Sequence, residues 1–224
     1  MNGIEKTCFL IWKMIQLTLI FHLLSLAGLI VFGVGPAWQT IVTLFLKTPQ
    51  EENHYSLKRA VQLWKSYFKE ANLRFGLFAL TFLFLTFNLH WAVQFPSLFW
   101  FTVSFLFLTF NLHWAVQFPS LFWFTVSFLI VIAMVWLTMT YLYMVFYAVS
   151  YEINLWNNMK LAFISVFLSF KSFLLMLSVL LGITLVTWQY KGLYLFLTFG
   201  ALVFCLDFVT KANRRLVDGV IDEC

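Results

Sequence analysis

Residues 82–104 read FLFLTFNLHWAVQFPSLFWFTVS, and residues 105–127 repeat that string without a mismatch. The unit is 23 residues long. As an α-helix it would extend roughly 34 Å at about 1.5 Å per residue. A bilayer hydrocarbon core is about 30 Å thick. Each copy is therefore one membrane crossing's length of chain, and inserting one crossing reverses the side on which everything downstream lies.

The surrounding chain fits the same solvent. It is 62% hydrophobic and 10% charged, with Phe at 29 of 224 positions, whereas about 25% of residues are charged in an average soluble domain. A soluble core of this size could not hide so much apolar surface, so the chain is expected to lie in lipid, where the backbone must satisfy its own hydrogen bonds. The net charge of +5 is concentrated in short stretches between apolar runs. That placement is a topology signal. The absence of a long basic soluble segment excludes nucleic acid as a partner.

Apolar and amphipathic segments organise the chain. Met14–Val34 is an apolar run about one crossing long, read as a retained membrane helix because it exceeds a typical signal-peptide core. Gly33-Val34-Gly35-Pro36 interrupts it: Gly33 and Gly35 loosen the backbone, and Pro36 lacks an N–H and suits a first helical turn. Ala37–Leu46 is too short to cross alone and reads as a half-helix, a re-entrant leg or a kinked continuation. After a polar loop, residues 55–75 form an amphipathic helix for the membrane interface. Leu57, Val61, Trp64, Phe68, Ala71 and Phe75 recur on one side, and Lys58, Arg59, Lys65 and Lys69 lie on the other. A second crossing is expected from about Leu73 to Trp91, with interfacial turns at His90–Ser97 and, in the repeat, His113–Ser120. Further crossings are expected within Leu121–Val149, Leu161–Thr187 and Leu193–Val209, before a short tail with Lys211, Arg214 and Arg215. The expected fold is all-α: a polytopic membrane helix bundle in a single integral membrane domain.

Charge sets the orientation. Lys47, Lys58, Arg59, Lys65, Lys69 and Arg74 crowd into residues 47–74, whereas the turns near 90–97 and 188–192 hold only Lys191. The positive-inside rule then puts 47–74, 151–160 and the tail in the cytoplasm. A full crossing by Leu98–Leu112 would place 151–160 and the tail outside, so local apolarity and global charge disagree over the second copy.

Chemistry is sparse. Cys8, Cys205 and Cys224 form no CxxC or Cys/His set, and His90 and His113 lack a third ligand at metal spacing. No metal and no cofactor is expected. Asp207 is the ionisable residue of most interest, because an acid at membrane depth is a functional candidate by default. Lys211, four residues on, offers a simpler helical ion pair. No Ser/His/Asp order, phosphate loop or HExxH occurs, which argues against an enzyme.

The stretch LLSLAGLIVFGVGPAWQTIVTLFLK followed by AVQLWKSYFKEANLRFGLFAL, and later YMVFYAVSYEINLWNNMKLAFISV, resembles the YesL-like family of bacterial membrane proteins, a domain of unknown function, DUF624. The likeness rests on an LxGLxxFGxxPA stretch after the first helix and on an aromatic-basic helix, here Leu63-Trp64-Lys65-Ser66-Tyr67-Phe68-Lys69. It implies about five membrane helices in a bacterial plasma-membrane protein, to which the repeat would add one more. It also implies association with carbohydrate uptake systems of the ABC type, and hence their subunits as partners beside the lipid bilayer. The expected function is a non-enzymatic accessory to such a system; a small transporter or channel is the alternative.

Overall fold

The computed structural model describes residues 3–48, 55–94, 119–151, 153–168 and 170–222. Among these residues all regular structure is helical: α1 (Gly3–Ala27), α2 (Val34–Lys47), α3 (Leu57–Gln94), α4 (Pro119–Ser150), α5 (Leu155–Leu168), α6 (Phe170–Gln189), α7 (Lys191–Phe196) and α8 (Thr198–Asp222). Leu98–Leu112, expected to form the additional helix, lies outside the described residues. So do Phe95–Ser97 and the start of the second expected turn.

Among the described residues four helical stretches are long and apolar enough to cross a membrane: Thr7–Ala27, Leu57–His90, Thr125–Ser150 and Lys171–Gln189. By length and composition this is a multi-pass helical membrane protein. The last expected crossing is interrupted in the structure. Leu193–Val209 is not one helix, because α7 ends at Phe196 and α8 begins at Thr198. The Nε2 of His22 lies 3.4 Å from the Tyr194 carbonyl oxygen, which takes that contact at the break. The turn expected at His90–Ser97 does not begin at His90: α3 stays helical through Gln94.

The chain divides into two units, one of residues 1–75 and 140–224, the other of 76–139. In the first, α1 packs along α2 and α8, and α8 packs along α6. Leu17, Ile20, Phe21 and Leu24 give α1 its buried stripe. Residues 35–44 of α2 are all buried, and Tyr143, Phe146 and Tyr147 fill the core from α4. Lipid tails are as apolar as Leu, so close packing rather than escape from water holds such helices together. Gly200 shows it: a Cβ there would run into the Met14 carbonyl of α1, and the bare backbone N–H instead donates to Thr18 Oγ1 at 2.9 Å.

In the second unit, Leu80, Leu83, Phe84 and Phe87 of α3 and Phe128 and Leu129 of α4 are exposed. Thr81, Thr86 and Asn88 turn their polar atoms back onto carbonyls of their own helix. Apolar groups outward and polar groups folded back is the arrangement lipid demands.

The α1–α2 turn ends α1 earlier than the glycine–proline signal does. Helix α1 stops at Ala27, and the amides of Ile30 and Leu29 donate to Ser25 O (2.8 Å) and Leu26 O (3.0 Å). This pair of bonds is a Schellman cap. It puts Leu29 (φ 56°) in the left-handed region, where glycine is usual, and Ile30 (φ 64°) lies there too. The glycines serve close approach instead: a Cβ on Gly33 would strike the Ser25 carbonyl, and one on Gly28 would strike Gly33.

Candidate functional site

One set of interior polar groups lies where α2 meets the first part of α3. Gly35 opens the contact between them, since a Cβ there would sit 2.7 Å from Phe75 Cβ and 3.0 Å from the Ala71 carbonyl. One turn on, Gln39 (2% exposed) accepts a hydrogen bond through Oε1 from Arg74 Nη1 at 2.9 Å. Arg74 is itself only 6% exposed. Its Nη2 donates to Glu70 Oε2 at 3.2 Å, an i,i+4 ion pair whose carboxylate is 71% exposed. Arg74 Nε is buried and has no protein partner. Tyr141 of α4 covers the node beside Phe75, ring centroids 6.0 Å apart. A guanidinium here is desolvated on most sides, with one neutral acceptor and one carboxylate that reaches solvent. Chemically this is a fixed positive charge that ties α2 to α3 and favours a second acceptor.

Further polar clusters lie in the same unit. Asn158 is fully buried, donates Nδ2–H to the Met144 carbonyl at 3.0 Å, and leaves Oδ1 unpaired. Tyr147 donates to Ser165 Oγ at 2.8 Å, which donates in turn to Leu161 O. On α8, Asp207 pairs with Arg214, whose guanidinium lies 5.9 Å from the centre of the Phe146 ring. The expected partner, Lys211, is exposed. Seven residues is close to two full helical turns, so Arg214 lies almost directly below Asp207.

The N-terminal cation Lys13 is buried, with Nζ 4.7 Å from the Phe9 ring centre and 5.6 Å from that of Tyr55. The Tyr55 amide donates to Gln16 Oε1 at 3.1 Å, and burial pushes the Tyr55 phenol up from 10.0 to about 12.

The sequence-predicted residues fall as follows. Lys58, Arg59, Lys65 and Lys69 are all exposed on α3. Trp64 is half-buried, with Phe68 edge-on to its ring at 4.9 Å. The inward stripe of α3 runs through buried Ala60, Ala71 and Arg74 and half-buried Trp64 and Tyr67, slightly rotated from the expected Leu57–Phe75 stripe, and Leu57 and Phe68 are exposed. Gly33 caps α2, and Gly35 and Pro36 lie in its first turn. Arg74, expected among the cytoplasmic cations, is instead buried. Its spacing from Ala60, Trp64, Tyr67 and Ala71, alternating four and three, was the available signal. Among the described residues no group of three His, Cys, Asp or Glu could hold a metal ion.

The Gly35 contact, Gln39, Glu70, Arg74 and the aromatic-basic face of α3 all fall within residues 14–89, which match the family described as protein of unknown function, DUF624. Residues 14–89 are a DUF624 family domain. No curated protein and no solved structure matches the chain. In the DUF624 domain the buried node and the exposed basic face therefore belong to one segment: α3 turns Arg74 inward and Lys58, Arg59, Lys65 and Lys69 outward.

Proposed function

We propose that this protein is a non-enzymatic accessory to a bacterial carbohydrate uptake system of the ABC type, acting in the plasma membrane. The observation that carries the reading is the exposed row Lys58, Arg59, Lys65 and Lys69 on a helix that the DUF624 domain holds in place from its other side. Positive charge selects the cytoplasmic side. A basic helix there suits both anionic lipid and an acidic protein partner. The sequence lacks a catalytic order or phosphate loop, which supports a non-enzymatic role. In this reading α7 and the apolar start of α8 complete a fifth crossing, and the second repeat copy adds a membrane helix. The test is co-purification from native membranes, with a variant carrying Glu at all four basic positions. Transporter subunits recovered with the native protein and lost with the variant are expected; their absence among specific partners overturns the proposal.

The second reading, a small transporter or channel, draws on the Arg74–Gln39 node, since buried charge in a membrane bundle marks candidate substrate paths. Solute flux in liposomes that is abolished by Arg74→Gln would favour it.

A further inference from the structure

Helices α6, α7 and α8 line an open cleft of about 630 Å³ that shares no residue with the Arg74 node. One wall is a single face of α6, from Leu180 and Ile183 to Thr187 and Trp188; the other is Phe199 and Leu202 of α8. Phe199 is fixed from behind by Phe21 of α1, stacked at 3.8 Å between ring centres. The short helix α7 closes one end with Lys191 and Tyr194. The cleft is thus apolar at the Leu180 and Leu202 end and polar at the Lys191 end. Its threonines offer little to a ligand as donors, because Thr184 and Thr187 give their hydroxyl protons to Leu180 O and Ile183 O, at 2.7 and 2.6 Å. Lys191 is the sole charged residue between Lys171 and Asp207 in the sequence, and it is exposed at the mouth beside Trp188.

An apolar trough ending in one cation and two amphipathic aromatics has the polarity profile of a phospholipid. Trp and Tyr favour headgroup depth, and a lysine near the membrane surface attracts anionic headgroups. The bilayer supplies this occupant at high concentration, and charge complementarity selects the anionic species. We propose that the α6–α8 cleft binds an anionic phospholipid, with an acyl chain against Leu180, Ile183 and Leu202 and the phosphate at the Lys191 ammonium. The proposal is independent of the transport reading, because it requires no protein partner.

The test uses the full chain reconstituted in vesicles containing brominated phosphatidylglycerol or brominated phosphatidylcholine. Trp188 is one of ten tryptophans, so its quenching is isolated as the difference between the native chain and Trp188→Phe. Phosphatidylglycerol should be favoured about five-fold over phosphatidylcholine, the scale of one lysine near the membrane surface. Lys191→Gln should bring that ratio to about one while both lipids still quench Trp188. Ile183→Phe, which narrows the trough, should reduce quenching by both. Circular dichroism checks that each variant folds. Equal quenching by the two lipids in the native chain overturns the proposal. So does a preference that survives Lys191→Gln, or a Trp188 that neither lipid quenches.

Discussion

Arg74 illustrates how one residue can serve two opposed demands. As a cation it adds to the charge from which a cytoplasmic position is expected for its flank of the chain; as a side chain it is buried between α2 and α3 with Gln39 as its neutral acceptor. A buried guanidinium that loses an acceptor keeps its desolvation cost. Gln39→Leu should therefore destabilise the protein by about 2–3 kcal/mol. Arg74→Met in the Gln39→Leu background should recover most of that loss, because an apolar pair of similar volume replaces a buried charged one. Thermal unfolding of both single variants and the double variant in detergent closes the cycle, and additive losses would show that the two side chains are not coupled.

Tyr55 offers a second test at the same scale. Burial favours its neutral phenol and raises its ionisation from 10.0 to about 12. The unfolded chain thus loses the proton first, so the stability this group contributes is complete below pH 10 and disappears as pH rises through about 12. Tyr55→Phe should flatten the decline in stability over that interval. Ultraviolet titration of tyrosinate should lose a component near pH 12; loss of a component near 10 instead would mean that the ring is solvated.

Among the elements, the α1–α2 turn concentrates the most backbone cost. Leu29 occupies the glycine position of a Schellman cap and is 82% exposed. Its side chain thus makes little protein contact that would justify the conformation. Leu29→Gly should stabilise by about 1 kcal/mol through relief of left-handed strain. Gly33→Ala should do the reverse and by more, because its Cβ would meet the Ser25 carbonyl rather than a movable side chain. Melting temperatures that shift the same way in both variants would contradict this account of the turn. The contrast locates the limit of the glycine–proline reading: glycine density announced a break, but which residue takes the positive φ depends on how α2 folds back against α1.

Over the whole molecule, charge and the repeat make incompatible demands. Residues 47–74 and the tail each carry enough Lys and Arg to seek the cytoplasm, whereas an additional full crossing by the second copy would separate them. Deleting residues 105–127 should raise expression and give a uniformly oriented protein. The readout is labelling of Cys224 by a membrane-impermeant thiol reagent in intact cells, in a background where Cys8 and Cys205 are replaced by Ser. Uniformly cytoplasmic Cys224 in both forms, with equal expression, would refute topological strain.

What the sequence determined by itself was the solvent and the local element type. Few charges, apolar runs of bilayer length and a helical stripe over residues 57–75 are properties of consecutive residues, and lipid leaves a chain with such runs little alternative to helices. The DUF624 resemblance was legible for the same reason, since its glycine–proline and aromatic-basic signals are local strings. Tertiary structure alone decided the burial of Arg74 against Gln39, the pairing of Asp207 with Arg214 rather than Lys211, and the division of the last apolar run into α7 and α8. Each depends on a neighbour remote in sequence or on the facing of a long flexible side chain: α2 behind Arg74, Phe146 beneath Arg214, His22 at the Tyr194 carbonyl. In a bilayer, where apolar burial favours no one helix pairing over another, such close contacts and paired polar groups select among arrangements that hydropathy treats as equivalent.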